Sequence, residues 1–117
     1  GAEALAAEAR RRWPGREITL VFGALADKRV AEMGKILSAV AAETFLAPTP
    51  SERAASPEQL RAAVPSGRTM PSLREALLEA DRRGRPILVA GSLFLAGDAL
   101  SLLGGEDPPE HPNELLR

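Results

Sequence analysis

The chain has 117 residues, 44% of them hydrophobic and 26% charged, which is the size and balance of one globular domain. With 15 basic and 16 acidic residues, a net charge of −1 and 3% aromatic residues, neither a basic nucleic-acid surface nor a base-stacking platform is expected. Cysteine is absent, which excludes disulfides and thiolate metal sites and fits a reducing cytosol, and no apolar run approaches the ~20 residues of a membrane helix. A cytoplasmic protein with no membrane partner is the expectation.

Ala2 to Arg12 reads as a helix, because alanine and glutamate are strong helix formers. Ala2, Leu5, Ala6 and Ala9 make a narrow apolar stripe, and Arg10, Arg11 and Arg12 stand where positive charge suits the helix dipole. Pro14 and Gly15 form a turn. Ile18 to Phe22 carries no charged side chain and suits a strand buried on both faces. Gly23 lets the backbone turn, and Asp27 and Lys28 then reach the loop before the next helix, expected over Lys28 to Ala42. Val30, Met33, Leu37 and Val40 give that helix its apolar face, widened by Ile36.

Thr44 to Ala47 is a second strand, ended by Pro48 and Pro50, and Thr49 to Ala55 is a loop with Glu52 and Arg53. Ser56-Pro57-Glu58-Gln59 opens a helix with a capping box and proline at the first helical position. Leu60, Ala63 and Val64 continue it to Pro65-Ser66-Gly67. Arg68 to Met70 is a brief strand. Ser72-Leu73-Arg74-Glu75 is a second capping box, opening a helix with Leu73, Ala76, Leu77 and Ala80 inward and Gly84 at its close. Pro86 to Ala90 is another strand apolar on both faces, followed by Gly91-Ser92. Leu93, Ala96, Leu100 and Leu103 then recur at helical spacing up to Gly104-Gly105. Residues 1–105 are expected as the folded domain and 106–117 as an acidic, proline-bearing tail. The alternation of strands and helices predicts an α/β sandwich with a largely parallel sheet.

Several chemistries are missing. There is no phosphate-cradling P-loop and no Gly-x-Gly-x-x-Gly after the first strand. Gly91-Ser92 lacks the glycines of a nucleophile elbow, and His111, the single histidine, lies in the tail, so a serine–histidine triad is excluded. Ligands of open α/β sheets bind beyond the carboxyl ends of the strands. The polar residues there are Asp27 and Lys28, Arg53, and Ser92. Asp27 and Lys28 either meet substrate or cap the next helix. Arg53 either clamps a carboxylate with its planar fork or is solvated. Ser92 either helps hold an anion or caps a helix.

Three stretches in register resemble the folylpolyglutamate synthases, including the bifunctional dihydrofolate synthases, of the Mur ligase superfamily. They are Val21-Phe22-Gly23-Ala24-Leu25-Ala26-Asp27-Lys28, Ala47-Pro48 through Arg53-Ala54-Ala55-Ser56-Pro57-Glu58-Gln59-Leu60, and Val89-Ala90-Gly91-Ser92-Leu93-Phe94-Leu95. The resemblance is to the C-terminal domain, over about Gly1 to Leu103, and implies a Rossmann-like, three-layer fold. It also implies an ATP-dependent amide bond between a folate carboxylate, or dihydropteroate, and L-glutamate, through an acyl phosphate. ATP and magnesium would be bound mainly by a larger N-terminal ATPase domain of the same chain, with no cofactor expected in this part. The fragment alone would be inactive, serving to close the cleft and position nucleotide and glutamate. The resemblance assigns substrate contacts to Ser92, Arg53, Asp27 and Lys28 and a general base to none of them, and Glu52 stands where the family's loop usually has proline. A peptidoglycan-precursor ligase domain and a non-catalytic interaction module are the alternatives.

Overall fold

The computed structural model describes residues 1–27 and 29–91, and the backbone of 114–116. The expected helix over 93–103, the 106–113 part of the tail, His111, Lys28 and Ser92 lie outside the described residues.

Helix α1 is Ala2–Arg12. Strand β1 is Thr19–Phe22, α2 is Val30–Ser38 and β2 is Glu43–Leu46. Helix α3 is Pro57–Ala63, β3 is Arg68–Thr69, α4 is Leu73–Arg82 and β4 is Ile87–Ala90. Glu114–Leu116 forms β5. The sheet order is β3-β2-β1-β4-β5, with β1 parallel to β2 and β4, β2 parallel to β3, and β5 antiparallel on β4. The expected α/β fold with a largely parallel sheet is therefore present. Three residues of the segment expected as a tail extend the sheet, supplying the outer edge of β4 with backbone partners it would otherwise lack.

Both faces of the sheet are covered, which is why its central strands need no polar side. Leu20, Phe22, Leu46 and Leu88 face a cluster built with Leu5 of α1, Leu37 of α2 and Leu60 of α3. On the other face Val21, Phe45 and Val89 pack against Leu73, Ala76, Leu77 and Ala80, the four α4 residues read as inward. Gly34 lets α2 approach α3: a Cβ there would lie 2.9 Å from the Ala63 Cβ.

Local chemistry sets the helix ends. The Ser56 box is complete: Gln59 N–H donates to Ser56 Oγ at 3.1 Å, and Ser56 N–H donates to Gln59 Oε1 at 2.8 Å. The Ser72 box is half formed, with Glu75 N–H donating to Ser72 Oγ at 3.1 Å. Gly84, at φ +69°, takes the left-handed turn that follows α4. Helix α2 is shorter than its apolar spacing predicts. Val40 N–H and Ala41 N–H donate to Leu37 O and Ser38 O, which tightens the end into i to i−3 turns. Ala42 N–H then donates to Ile18 O at 2.8 Å, drawing the chain into the sheet. Val40 keeps its contact with the core without belonging to the helix.

The amino-terminal edge of the sheet is tied by an ion-pair network. Arg83 holds Glu43 through Nε at 2.7 Å and Nη2 at 3.1 Å, and Arg85 reaches the same carboxylate at 3.1 Å. Arg83 also donates to Glu79 at 3.0 Å and lies 5.2 Å from the centre of the Phe45 ring. The hydrogen bond from Arg83, helped by Arg85, holds the Glu43 carboxyl below the ordinary carboxylate value. Its contribution to stability is thus present above the unfolded pKa and is lost as pH falls through the folded one. Glu43→Gln is expected to cost about 1 kcal/mol at pH 7, since the pair is partly exposed. Thermal melts from pH 7 down to pH 3 check this: the gap between variant and wild type should close in acid, and a gap independent of pH would rule it out.

Candidate functional site

The sheet reverses its winding beside β1. From β1 the chain crosses through α2 to β2 on one side, and β2 leads through α3 to β3 beyond it. From β3 it crosses back through α4 to β4 on the other side of β1. The crevice between the carboxyl ends of β1 and β4 is the topological switch point, where open α/β sheets bind ligands. Phe22 stands opposite Leu46 in β2 and Ala90 in β4, so three strands end level. Gly23 N–H donates to Ala90 O at 3.2 Å, carrying the pairing one step past β1. Gly91, at φ +149°, lets the chain leave β4 there, immediately before Ser92.

The loop after β1 and the loop after β2 form one unit. Leu25 and Ala54 make an isolated antiparallel bridge. Ala26 N–H donates to Arg53 O at 2.6 Å, and Ala55 N–H donates to Ala24 O at 2.9 Å. Two of the residues read as candidates are thereby brought together, because Ala26 immediately precedes Asp27 and pairs with Arg53 itself. Sequence reasoning had no access to this clamp: it joins backbone groups of small residues and leaves no side-chain pattern.

Asp27 is exposed, and its Oδ1 accepts from Arg29 N–H at 2.8 Å while its carbonyl accepts from Val30 N–H at 3.0 Å. This turn precedes α2, which begins at Val30 rather than at Lys28 and has Arg29 as its N-cap with no side-chain cap hydrogen bond, so Asp27 shapes the approach to the helix without capping it. Arg53 is exposed at the tip of the β2–α3 loop, where its N–H donates to Ser51 Oγ at 3.1 Å. Its guanidinium has no hydrogen bond or ion pair among the described residues. Five donors in a planar fork, presented to solvent at the strand ends, suit a carboxylate ligand.

Two features were not anticipated. An apolar cavity of about 350 Å³ opens beside this loop, lined by Leu46, Pro48, Ala55, Pro57, Leu60, Thr69, Met70 and Pro71. The lining draws on the end of β2, the β2–α3 loop, the start of α3 and the end of β3, so no periodic pattern marks it. Thr49 is buried although it is polar and belongs to a loop. Among the described residues there is no group of three or more His, Cys, Asp or Glu that could hold a metal ion. No helix of the described residues is long and apolar enough to cross a membrane.

The family described as "Mur ligase, glutamate ligase domain" matches residues 1–93. The chain belongs to this family. The Mur ligase domain is 39% identical over 92 residues to the folylpolyglutamate synthase of Lacticaseibacillus casei, covering 76% of this chain and 22% of that protein. Mycobacterium tuberculosis folylpolyglutamate synthase complexed with ADP is similar in structure, with a TM-score of 0.76, 28% identity, and 92% of this chain and 28% of that one covered. E. coli FolC in complex with DHPP and ADP gives a TM-score of 0.77 at 25% identity, over 87% of this chain and 25% of that one. The Mur ligase domain therefore spans between 22% and 28% of the length of these relatives.

The clamp predicts a measurable protection. In amide hydrogen exchange, Ala26 and Ala55 should exchange at least about tenfold more slowly than Glu52 in the same loop region, as two internal hydrogen bonds require. Equal rates at all three positions would show that the two loops move separately.

Proposed function

We propose that this Mur ligase domain is the C-terminal part of an ATP-dependent ligase that joins L-glutamate to folates or to dihydropteroate. The observation that carries the reading is the 39% identity to a folylpolyglutamate synthase over 92 residues, 76% of this chain. The glutamate-ligase description of the family supports the same reaction class. So do the ADP found with the M. tuberculosis relative and the DHPP and ADP found with the E. coli one.

In the proposed reaction the terminal phosphate of ATP passes to a substrate carboxylate, releasing ADP. The glutamate nitrogen then attacks the acyl carbon, the amide bond forms, and phosphate leaves with the acyl oxygen. Such chemistry depends on placing reactants and offsetting charge more than on a dedicated base. The ATPase machinery belongs to an N-terminal domain of the same chain, which this domain closes against, and the domain alone is inactive. ATP and magnesium act in that partner domain, and the protein works in the cytoplasm. Arg53 receives a carboxylate of the incoming glutamate, Ser92 lies at the same end of the cleft, and Asp27 and Lys28 contribute contacts from the clamped loop.

The test is ligation of L-glutamate to dihydropteroate and to a reduced folate by the whole protein with ATP. Arg53→Ala and Ser92→Ala should each raise the KM for glutamate, about tenfold or more for the arginine, with kcat little changed, as expected where a charge-assisted hydrogen bond to the substrate is lost. Ligation by the whole protein with both variants behaving as wild type would remove these residues from the site. A whole protein that ligates glutamate to neither substrate would remove the reading itself.

A further inference from the structure

Thr49 stands between Pro48 and Pro50, at the start of the loop that carries Arg53. It is 5% exposed, and its hydroxyl is buried with no hydrogen-bond partner, the one such side-chain atom among the described residues. A hydroxyl taken out of water without a replacement partner destabilises the state that holds it, so buried hydroxyls are normally paired. Thr19, equally buried, meets Arg85 Nη1 at 3.4 Å. The surroundings of Thr49 explain why it has no local partner. The two flanking prolines have no N–H to offer. The next amide, Ser51 N–H, is already donated to Thr49 O at 2.8 Å.

The same loop carries a second unmet group. Ser51 Oγ accepts from Arg53 N–H, Ser51 O accepts from Ala54 N–H at 3.1 Å, and the Arg53 guanidinium, without a partner among the described residues, stands exposed. One short turn thus joins a buried hydroxyl without a hydrogen bond to an exposed guanidinium without a counter-ion among the described residues, beyond the carboxyl ends of the strands.

We propose that Thr49 is a positioning residue for Arg53: its hydroxyl gains the missing hydrogen bond when the β2–α3 loop closes on the carboxylate of the incoming amino acid, and so holds the guanidinium there. This rests on the reading of Arg53 given under the proposed function. The open loop bears the cost of the unpaired hydroxyl and the closed loop does not, so the hydroxyl favours the ligand-holding state. It therefore weakens the free domain while strengthening ligand binding, and its removal moves the two in opposite directions.

Thr49→Val keeps the side-chain shape and deletes the hydroxyl. In the whole protein, at saturating ATP and folate or dihydropteroate, this variant should raise the KM for L-glutamate about five- to tenfold, with kcat within about twofold. Its melting temperature should equal or exceed that of wild type, and Thr49→Ser should restore the KM. In an Arg53→Ala background, Thr49→Val should change the KM by less than about twofold, because threonine acts through the arginine. An unchanged KM in Thr49→Val, with wild type ligating normally, overturns the role of Thr49 and leaves the ligase reading standing. The same KM increase in the Arg53→Ala background overturns the link between the two residues. A clearly lower melting temperature overturns the premise that the hydroxyl is unpaired. Wild type that ligates no glutamate brings down the ligase reading and this inference with it.

Discussion

Everything at the candidate site depends on β1 being paired along both edges and buried on both faces. Thr19, Leu20, Val21 and Phe22 are all inaccessible to solvent, so no register slip is tolerated: a one-residue shift would exchange the residues packed on α1, α2 and α3 with those packed on α4. With β1 locked between β2 and β4, the carboxyl ends of three strands are level, and the crevice beside Gly23 and Gly91 has a fixed shape. The ion pairs around Glu43 tie down the opposite edge of the sheet, away from that crevice. The ion-pair network and the crevice thus lie at opposite ends of the strands.

The loops above the locked edge are not independent. The bridge between Leu25 and Ala54 makes Asp27 and Arg53 parts of a single strap, so that a movement of one loop carries the other. Asp27 shapes the approach to α2, and the Arg53 guanidinium has no hydrogen bond or ion pair among the described residues. Asp27 Oδ1 accepts from the Arg29 amide at 2.8 Å, which fixes the course of the chain into α2.

The sheet and its helices were largely legible in the sequence because side-chain type carries that information. Two uncharged strand runs, Ile18 to Phe22 and Pro86 to Ala90, announced a parallel sheet. The Ser56 box and the Leu73, Ala76, Leu77, Ala80 face were read correctly in detail. What escaped the reading is carried by the backbone or by distance along the chain. Helix α2 stops at Ser38 while its apolar spacing runs on to Val40, since i to i−3 bonds and the pull of the sheet end it. The antiparallel β5 lies within a stretch whose proline and acidic content suggested a tail. Glu43 and Arg83 are forty residues apart, and no local pattern pairs them. The strap rests on amide and carbonyl groups of alanines. Thr49 looked like one more polar loop residue, and its burial is visible only in three dimensions.

The most direct measurement is a crystal structure of the whole protein with a non-hydrolysable ATP analogue and L-glutamate. The account predicts a glutamate carboxylate within ~3 Å of the Arg53 guanidinium, beside Ser92, with the Leu25–Ala54 bridge intact. Glutamate bound elsewhere with Arg53 still in solvent, or a bridge broken by closure, would contradict it.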